Sequence, residues 1–290
     1  MSVQTLAIDD HTLAVVSFPS EADGPPIFLL HGITASVHFW TSELIAPFTA
    51  HGPCYALSLP GHYPAAFPRD FSESALDAEL IAKLLIEAIR GGHDDGPVVL
   101  VGHSTGGFAA LDIAAHAPEL AQAVISISGF ANGTWTGALG LNQKLTRAGR
   151  WGRQLFKWIY AANRRSRAVQ RASWFIYTGN LRRPRHPHFD PIFDSFYPAF
   201  KRLDLEAMAK YFAVMPDIDI TNRLADIAAP TLIIVGDHDP IVPPSQAHLI
   251  ADEVPDAKLA ALPDVGHLPF LEDYGGYQRT VCTWLDQYLP

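Results

Sequence analysis

Short runs of consecutive apolar residues recur along this chain, separated by stretches in which apolar positions return every three or four residues. The first pattern predicts strands buried on both faces, the second amphipathic helices. Strands are expected at 11–18, 27–30, 54–59, 98–101, 124–127, 231–235 and 258–262. The β-branched stretch 11–18 ends at Pro19, a Gly24-Pro25-Pro26 turn precedes 27–30, and Pro60-Gly61 closes 54–59. Helices are expected over 36–47, stopped by Pro47, over 74–90, stopped by Gly91-Gly92, and over 108–116, stopped by Pro118. Two more follow, one from about Ser245 and a closing amphipathic one over 277–289. Wholly apolar strands alternating with helices predict an α/β fold with a mostly parallel sheet covered by helices.

The alternation pauses at 130 and resumes with the strand at 231–235. Residues 130–222 therefore read as an insertion into a single core built from 1–129 and 223–290. Within it Leu145, Ala148, Trp151, Leu155, Trp158, Ile159 and Ala162 recur at helical steps. Lys144, Arg147, Arg150, Arg153 and Lys157 share much of the remaining circumference. A second inserted helix is expected over 203–215, carrying Leu203, Ala207, Met208, Tyr211 and Phe212.

Charge draws the same boundaries. The 290 residues carry a net charge of −9, from 21 basic and 30 acidic side chains. The insertion holds 15 of the basic and 6 of the acidic ones, and from Lys144 to Arg185 there are 12 basic residues and no acidic one. A surface of evenly mixed charge would not separate in this way. The apolar fraction of 48% with 18% charged residues excludes a disordered chain. No apolar run approaches the roughly 18–20 residues that cross a bilayer. The start, MSVQTLAIDDH, has neither a basic opening nor an apolar segment, which predicts a cytoplasmic protein. Cys54 and Cys282 form no disulfide framework and no metal motif, and are expected as reduced thiols; no metal is expected.

The chemistry begins at Gly102-His103-Ser104-Thr105-Gly106-Gly107, directly after the strand 98–101 and before a helix. A serine at the apex of so tight a strand–turn–helix connection projects clear of the sheet, and the flanking glycines permit the close backbone approach it requires. The helix that follows favours negative charge developing beside Ser104. A serine hydroxyl is a weak nucleophile and needs a base within hydrogen-bond reach. Thirteen histidines compete for that role. One, His267, lies in a loop between the last predicted strand and the last helix. Two aspartates, Asp237 and Asp239, follow the strand 231–235 in Gly236-Asp237-His238-Asp239-Pro240.

Together with His31-Gly32 upstream, these motifs resemble the α/β-hydrolase fold superfamily over nearly the whole chain. The resemblance implies an α/β-hydrolase fold whose insertion is a helical lid, placed after the sixth strand. It implies Ser104 as nucleophile, His267 as base, and Asp239 as the acid facing the histidine, with Asp237 binding loop amides instead. It also implies an oxyanion hole made by the backbone N–H groups of Ile33 and Thr105, with His31 holding that loop. No cofactor is then required. The implied activity is that of a serine hydrolase cleaving a small, mostly apolar ester, thioester or lactone through an acyl-enzyme. Acyl transfer, carbon–carbon hydrolysis or lyase chemistry on the same triad, perhydrolysis as a side reaction, and a non-catalytic binding protein on the same scaffold stand as alternatives.

Departures from the family pattern narrow these. Ser104 stands where haloalkane- and epoxide-opening relatives carry aspartate. His103 and Leu268 stand where carbon–carbon hydrolases usually carry asparagine and tryptophan. In the loop 58–64, expected at the rim of the pocket, Ser58 and Tyr63 replace the usual aspartate and glycine. At least one lid aromatic is expected to line the substrate pocket. The basic lid leaves three readings: complementing the acidic core, selecting an anionic substrate or acidic acyl-carrier protein, or resting on anionic lipid as a peripheral contact. The acidic overall balance and the lack of a recognition motif argue against nucleic acid.

Overall fold

The computed structural model describes residues 3–92, 96–180, 187 and 189–289. Arg182, Arg183 and Arg185 of the basic run lie outside them. Among the described residues the strands are β1 (Val3–Ile8), β2 (His11–Phe18), β3 (Ile27–Leu30), β4 (Cys54–Leu57), β5 (Val98–His103), β6 (Ala121–Ile127), β7 (Thr231–Gly236) and β8 (Ala257–Leu262). They form one sheet in the order β1-β2-β4-β3-β5-β6-β7-β8. The β1–β2 and β2–β4 pairs are antiparallel and the others parallel. Strands β3, β5 and β7 are buried at every position, as continuous apolar strands covered on both faces must be.

The core helices are α1 (Ser42–Thr49), α2 (Ala78–Gly92) and α3 (Thr105–His116), with further ones described below. The stretch 36–47 differs from its sequence reading. It holds a single helical turn at Val37–Phe39, and then α1 runs through Pro47 rather than stopping there. Pro47 cannot donate to the carbonyl of Glu43 one turn back. The hydroxyl of Tyr274 donates to that oxygen instead, at 3.0 Å. A distant side chain thus satisfies the acceptor that proline would have orphaned.

Between β6 and β7 run the inserted helices α4 (Gly137–Arg147), α5 (Gly149–Arg165), α6 (Arg167–Ser173), α7 (Phe189–Phe200) and α8 (Leu205–Val214). The periodic stretch 145–162 is therefore two helices, broken at Ala148 and Gly149. Gly149 has φ 76°, a left-handed conformation natural to glycine, and Arg153 Nε donates to the freed carbonyl of Thr146 at 3.0 Å. Helix α5 buries Phe156 and Tyr160. Trp151, Leu155, Trp158 and Ile159 lie on its opposite side and face outward. After β7, α9 (Pro244–Glu253) precedes β8, and α10 (Pro269–Glu272) and α11 (Tyr274–Tyr288) close the chain. No described helix is long and apolar enough to cross a membrane.

Candidate active site

Strand register sets the site. Leu30 at the end of β3 pairs with Gly102 near the end of β5, and Gly236 ending β7 pairs with Leu262 ending β8. The loops carrying Gly32, Ser104, Asp239 and His267 thus leave the sheet at one edge, where parallel α/β sheets place their ligands. Ser104 sits between β5 and α3 at φ 55° and ψ −117°. This positive-φ conformation is strained for a residue with a Cβ, and the surrounding packing imposes it. A Cβ on Gly102 would stand 2.0 Å from the carbonyl oxygen of Gly106, and one on Gly106 would stand 2.2 Å from that of Leu30. Only glycine allows the turn to close this tightly against β3.

The side chain of Ser104 meets His267, with Oγ 2.9 Å from Nε2. On the other face of the ring, His267 Nδ1 lies 2.7 Å from Asp239 Oδ2. Asp239 Oδ1 accepts from the backbone N–H groups of Ile241 at 2.8 Å and Val242 at 3.0 Å. The expectation that Asp237 binds loop amides is corrected here. The Asp237 carboxylate lies 2.9 Å from His238 Nδ1 and is partly exposed, while the buried Asp239 takes the amides and the histidine together. With one oxygen fixed by two amides, the other is held for the imidazole.

Ile33 and Thr105 flank this group. Ile33 lines the cavity at Ser104, and Thr105 is the first residue of α3, whose opening N–H groups have no intrahelical acceptor. His31 Nδ1 donates to the carbonyl of Gly32 at 2.8 Å, and its Nε2 accepts from the N–H of Leu59 at 3.2 Å, which ties the Ile33 loop to the end of β4. The loop 58–64 does not line the cavity at Ser104. It packs between the core and the inserted helix α8, with the His62 ring 5.3 Å from His31 and 4.7 Å from Tyr211. Burial lowers the pKa of His31 well below its ordinary value and that of His62 to about 4.

Three positioning residues escaped the sequence reading. His103 Nε2 donates to the carbonyl of His267 at 2.9 Å, and its ring stacks on Phe39 at 5.6 Å. Burial, with the neighbouring His267, lowers its pKa to about 3, so it stays a neutral donor. Glu272 accepts from the N–H groups of Gly179 (2.9 Å), Gly266 (3.0 Å) and Leu268 (3.2 Å). Burial raises the pKa of Glu272, and the three N–H groups oppose that rise. The carbonyl of Tyr177 accepts from the N–H of His267 at 2.8 Å. The loop carrying His267 is therefore fastened on both sides, by contacts far apart in sequence. Glu272→Ala is expected to lower kcat about tenfold with little change in KM, because it frees the loop that aims His267. The same variant should lose about 2–3 kcal/mol of stability, since three N–H groups lose their acceptor. Steady-state kinetics and urea unfolding check both, and Glu272→Gln, which keeps an acceptor oxygen, should recover part of each.

The cavity over Ser104 has a volume of about 60 Å³ and mostly apolar walls. Trp174, Tyr177 and Phe196 of the insertion line it, opposite Ile33 and Leu268 of the core. A second cavity of about 200 Å³ lies among α4, α5 and α6, and the two share Thr34, Gln170 and Tyr177 as common walls. Neither is lined by a carboxylate, a lysine or an arginine among the described residues. No group of three or more metal-ligating side chains occurs among the described residues.

Residues 27–277 match the model of the alpha/beta hydrolase family. The chain is 25% identical over 266 residues to a protein of Pseudomonas savastanoi pv. phaseolicola named as a candidate carbamate hydrolase, RutD, covering 91% of this chain and 95% of the relative. It is 25% identical over 246 residues to the pimeloyl-acyl-carrier-protein methyl ester esterase of Neisseria meningitidis serogroup B (strain H44/76), covering 84% and 86% of the two chains. The solved structure of the esterase EaEST from Exiguobacterium antarcticum superposes with a TM-score of 0.73 at 18% identity, covering 99% of this chain and all (100%) of that one.

Proposed function

The chain belongs to the alpha/beta hydrolase family, and from that premise we propose that it is a serine hydrolase cleaving a small, mostly apolar carboxylic ester, thioester or lactone. The observation that carries this reading is the unbroken contact from Ser104 Oγ through the His267 ring to Asp239, all three buried. His267 takes the Ser104 proton as the oxygen attacks the substrate carbonyl. Asp239 holds the Nδ1–H tautomer and stabilises the imidazolium that forms. The N–H groups of Ile33 and Thr105 receive the developing oxyanion, to which each such donor contributes about 3–4 kcal/mol in measured enzymes. Protonated His267 then gives its proton to the leaving group. Water activated by the same ring cleaves the acyl-enzyme and restores the hydroxyl of Ser104.

Among the described residues the walls of both cavities carry no lysine, arginine or carboxylate, which favours a neutral substrate over an anionic one, since a buried anion needs a cation beside it. Relatives named for methyl ester and carbamate hydrolysis are consistent with attack at a carbonyl carbon carrying a heteroatom leaving group. A substrate panel spanning p-nitrophenyl esters, thioesters, lactones and carbamates, with fluorophosphonate labelling of Ser104, tests the reading. Labelling with turnover on the panel is expected. Absence of both would replace it with a binding role, and product formation without net hydrolysis would replace it with acyl transfer.

The assignment of the acid has its own test. Asp239→Asn should lower kcat by about 10³–10⁴-fold, because an amide at that position favours the wrong imidazole tautomer. Asp237→Asn should leave kcat within about twofold, as expected of a partly exposed side chain away from the reacting atoms. The opposite ranking of the two variants would move the role to Asp237.

A further inference from the structure

Among the described residues, the large apolar side chains that remain exposed all belong to the insertion. Four of them share one face of α5: Trp151 is 76% exposed, Trp158 64%, Leu155 45% and Ile159 41%. Leu141 of α4 and Ile176, just after α6, add to the same end of the molecule. This arrangement inverts that of an ordinary surface helix, which turns its apolar stripe inward. Four large apolar residues along one exposed face mark a binding surface rather than random exposure.

Charge indicates what binds. Five basic side chains of the insertion are in ion pairs, and only one of the five reaches the core: Arg147 with Asp217, Lys157 with Glu206, Arg167 with Asp194, Arg171 with Asp190, and Arg153 with Glu73 of the core. Complementing the acidic core therefore accounts for only part of the basic excess. Lys144, Arg150 and Arg165 are exposed beside the apolar stripe, and Arg150 lies over the ring of Trp151 at 5.3 Å. No acidic residue occurs from Lys144 to Arg185, so the face presents apolar and cationic groups without a neighbouring acid in its own sequence. An amphipathic helix with tryptophans on its apolar face and basic residues beside it suits the boundary between headgroups and acyl chains. Its length and polarity do not suit a membrane crossing.

We propose that the outward face of α5, with Leu141 and Ile176, is a docking surface for an anionic lipid bilayer. Leu141, Ile159 and Ile176 also line the 200 Å³ cavity that adjoins the cavity over Ser104. Docking would hold that cavity against the lipid, where apolar esters concentrate. The docking itself does not depend on the proposed chemistry.

The test is co-sedimentation of the full chain with vesicles of phosphatidylcholine alone and of phosphatidylcholine mixed with phosphatidylglycerol. The expected result is binding to the mixed vesicles, weakened by salt, with a blue shift of tryptophan emission. The double variant Trp151→Ser/Trp158→Ser should bind at least about tenfold more weakly, because two large apolar groups no longer enter the lipid. Arg150→Glu/Arg165→Glu should lose the preference for phosphatidylglycerol. Both variants should keep the parent thermal midpoint, since the altered side chains are exposed. The proposal is overturned by absence of binding to either vesicle, or by binding that the tryptophan variant leaves unchanged. It is equally overturned if the face proves to join two copies, seen as a parent dimer that the tryptophan variant dissolves. Retention by an acidic carrier protein without vesicle binding would overturn it in favour of a protein partner.

Discussion

Ser104→Ala is expected to reduce hydrolysis of an activated ester by roughly four to six orders of magnitude, and His267→Ala by a similar factor. The two losses should not add in the double variant. In the proposed mechanism the hydroxyl and the imidazole, 2.9 Å apart, act as one unit, so removing either leaves the other without its reaction. Residual turnover should come from carbonyl polarisation by backbone N–H groups, which neither substitution touches. Both variants should unfold at the parent urea concentration, which separates a chemical effect from loss of fold. Steady-state rates on p-nitrophenyl butyrate, with labelling stoichiometry by fluorophosphonate, provide the measurement. Near-normal rates in Ser104→Ala would remove the serine mechanism, whatever the geometry around it.

Steep acid destabilisation is the second large effect expected. His31, His62 and His103 are buried, with pKa values held low by desolvation. In the unfolded chain each would titrate near pH 6.5. As the pH falls below that value, the unfolded state takes up protons that the folded state refuses until about pH 4 for His62 and about pH 3 for His103. The unfolded form therefore gains stability as acid is added. Each histidine contributes about 1.4 kcal/mol per pH unit, so the three together cost about 4 kcal/mol per unit near pH 5. Against a total of about 5–15 kcal/mol for a typical domain, that slope unfolds the protein within two or three units. Urea midpoints measured from about pH 7 down to pH 5 should fall accordingly. His62→Gln should flatten the slope by about one third. A midpoint that stays level to pH 5 would contradict the burial of these rings as neutral groups.

The parts of this architecture that were legible from sequence share a physical cause. Strands β3, β5 and β7 are buried on both faces, so their composition alone identifies them. The Ser104 turn was legible because Gly102 is required by a contact within the short motif itself, against the carbonyl of Gly106, even though Gly106 in turn answers to Leu30 of the distant β3. Strand β1 was not read, since it is an edge strand paired only to β2, with most positions partly or fully exposed and little apolar signal. Helix α1 continues through Pro47 because Tyr274, more than two hundred positions later, satisfies the freed carbonyl. Glu272 likewise acts on residues of the insertion and of the His267 loop, a link that periodicity cannot reveal. The periodicity over 145–162 predicts one helical face, whereas Ala148 and Gly149 break the stretch, and a pattern carries no information about which side of α5 meets the core. Phe156 and Tyr160 decide that by packing against Phe212.

The three acceptor contacts of Glu272 and the carbonyl of Tyr177 have a mechanical consequence. They rivet the roof to the floor at the point where His267 emerges, so the inserted helices cannot swing away as a free flap without misaligning the imidazole.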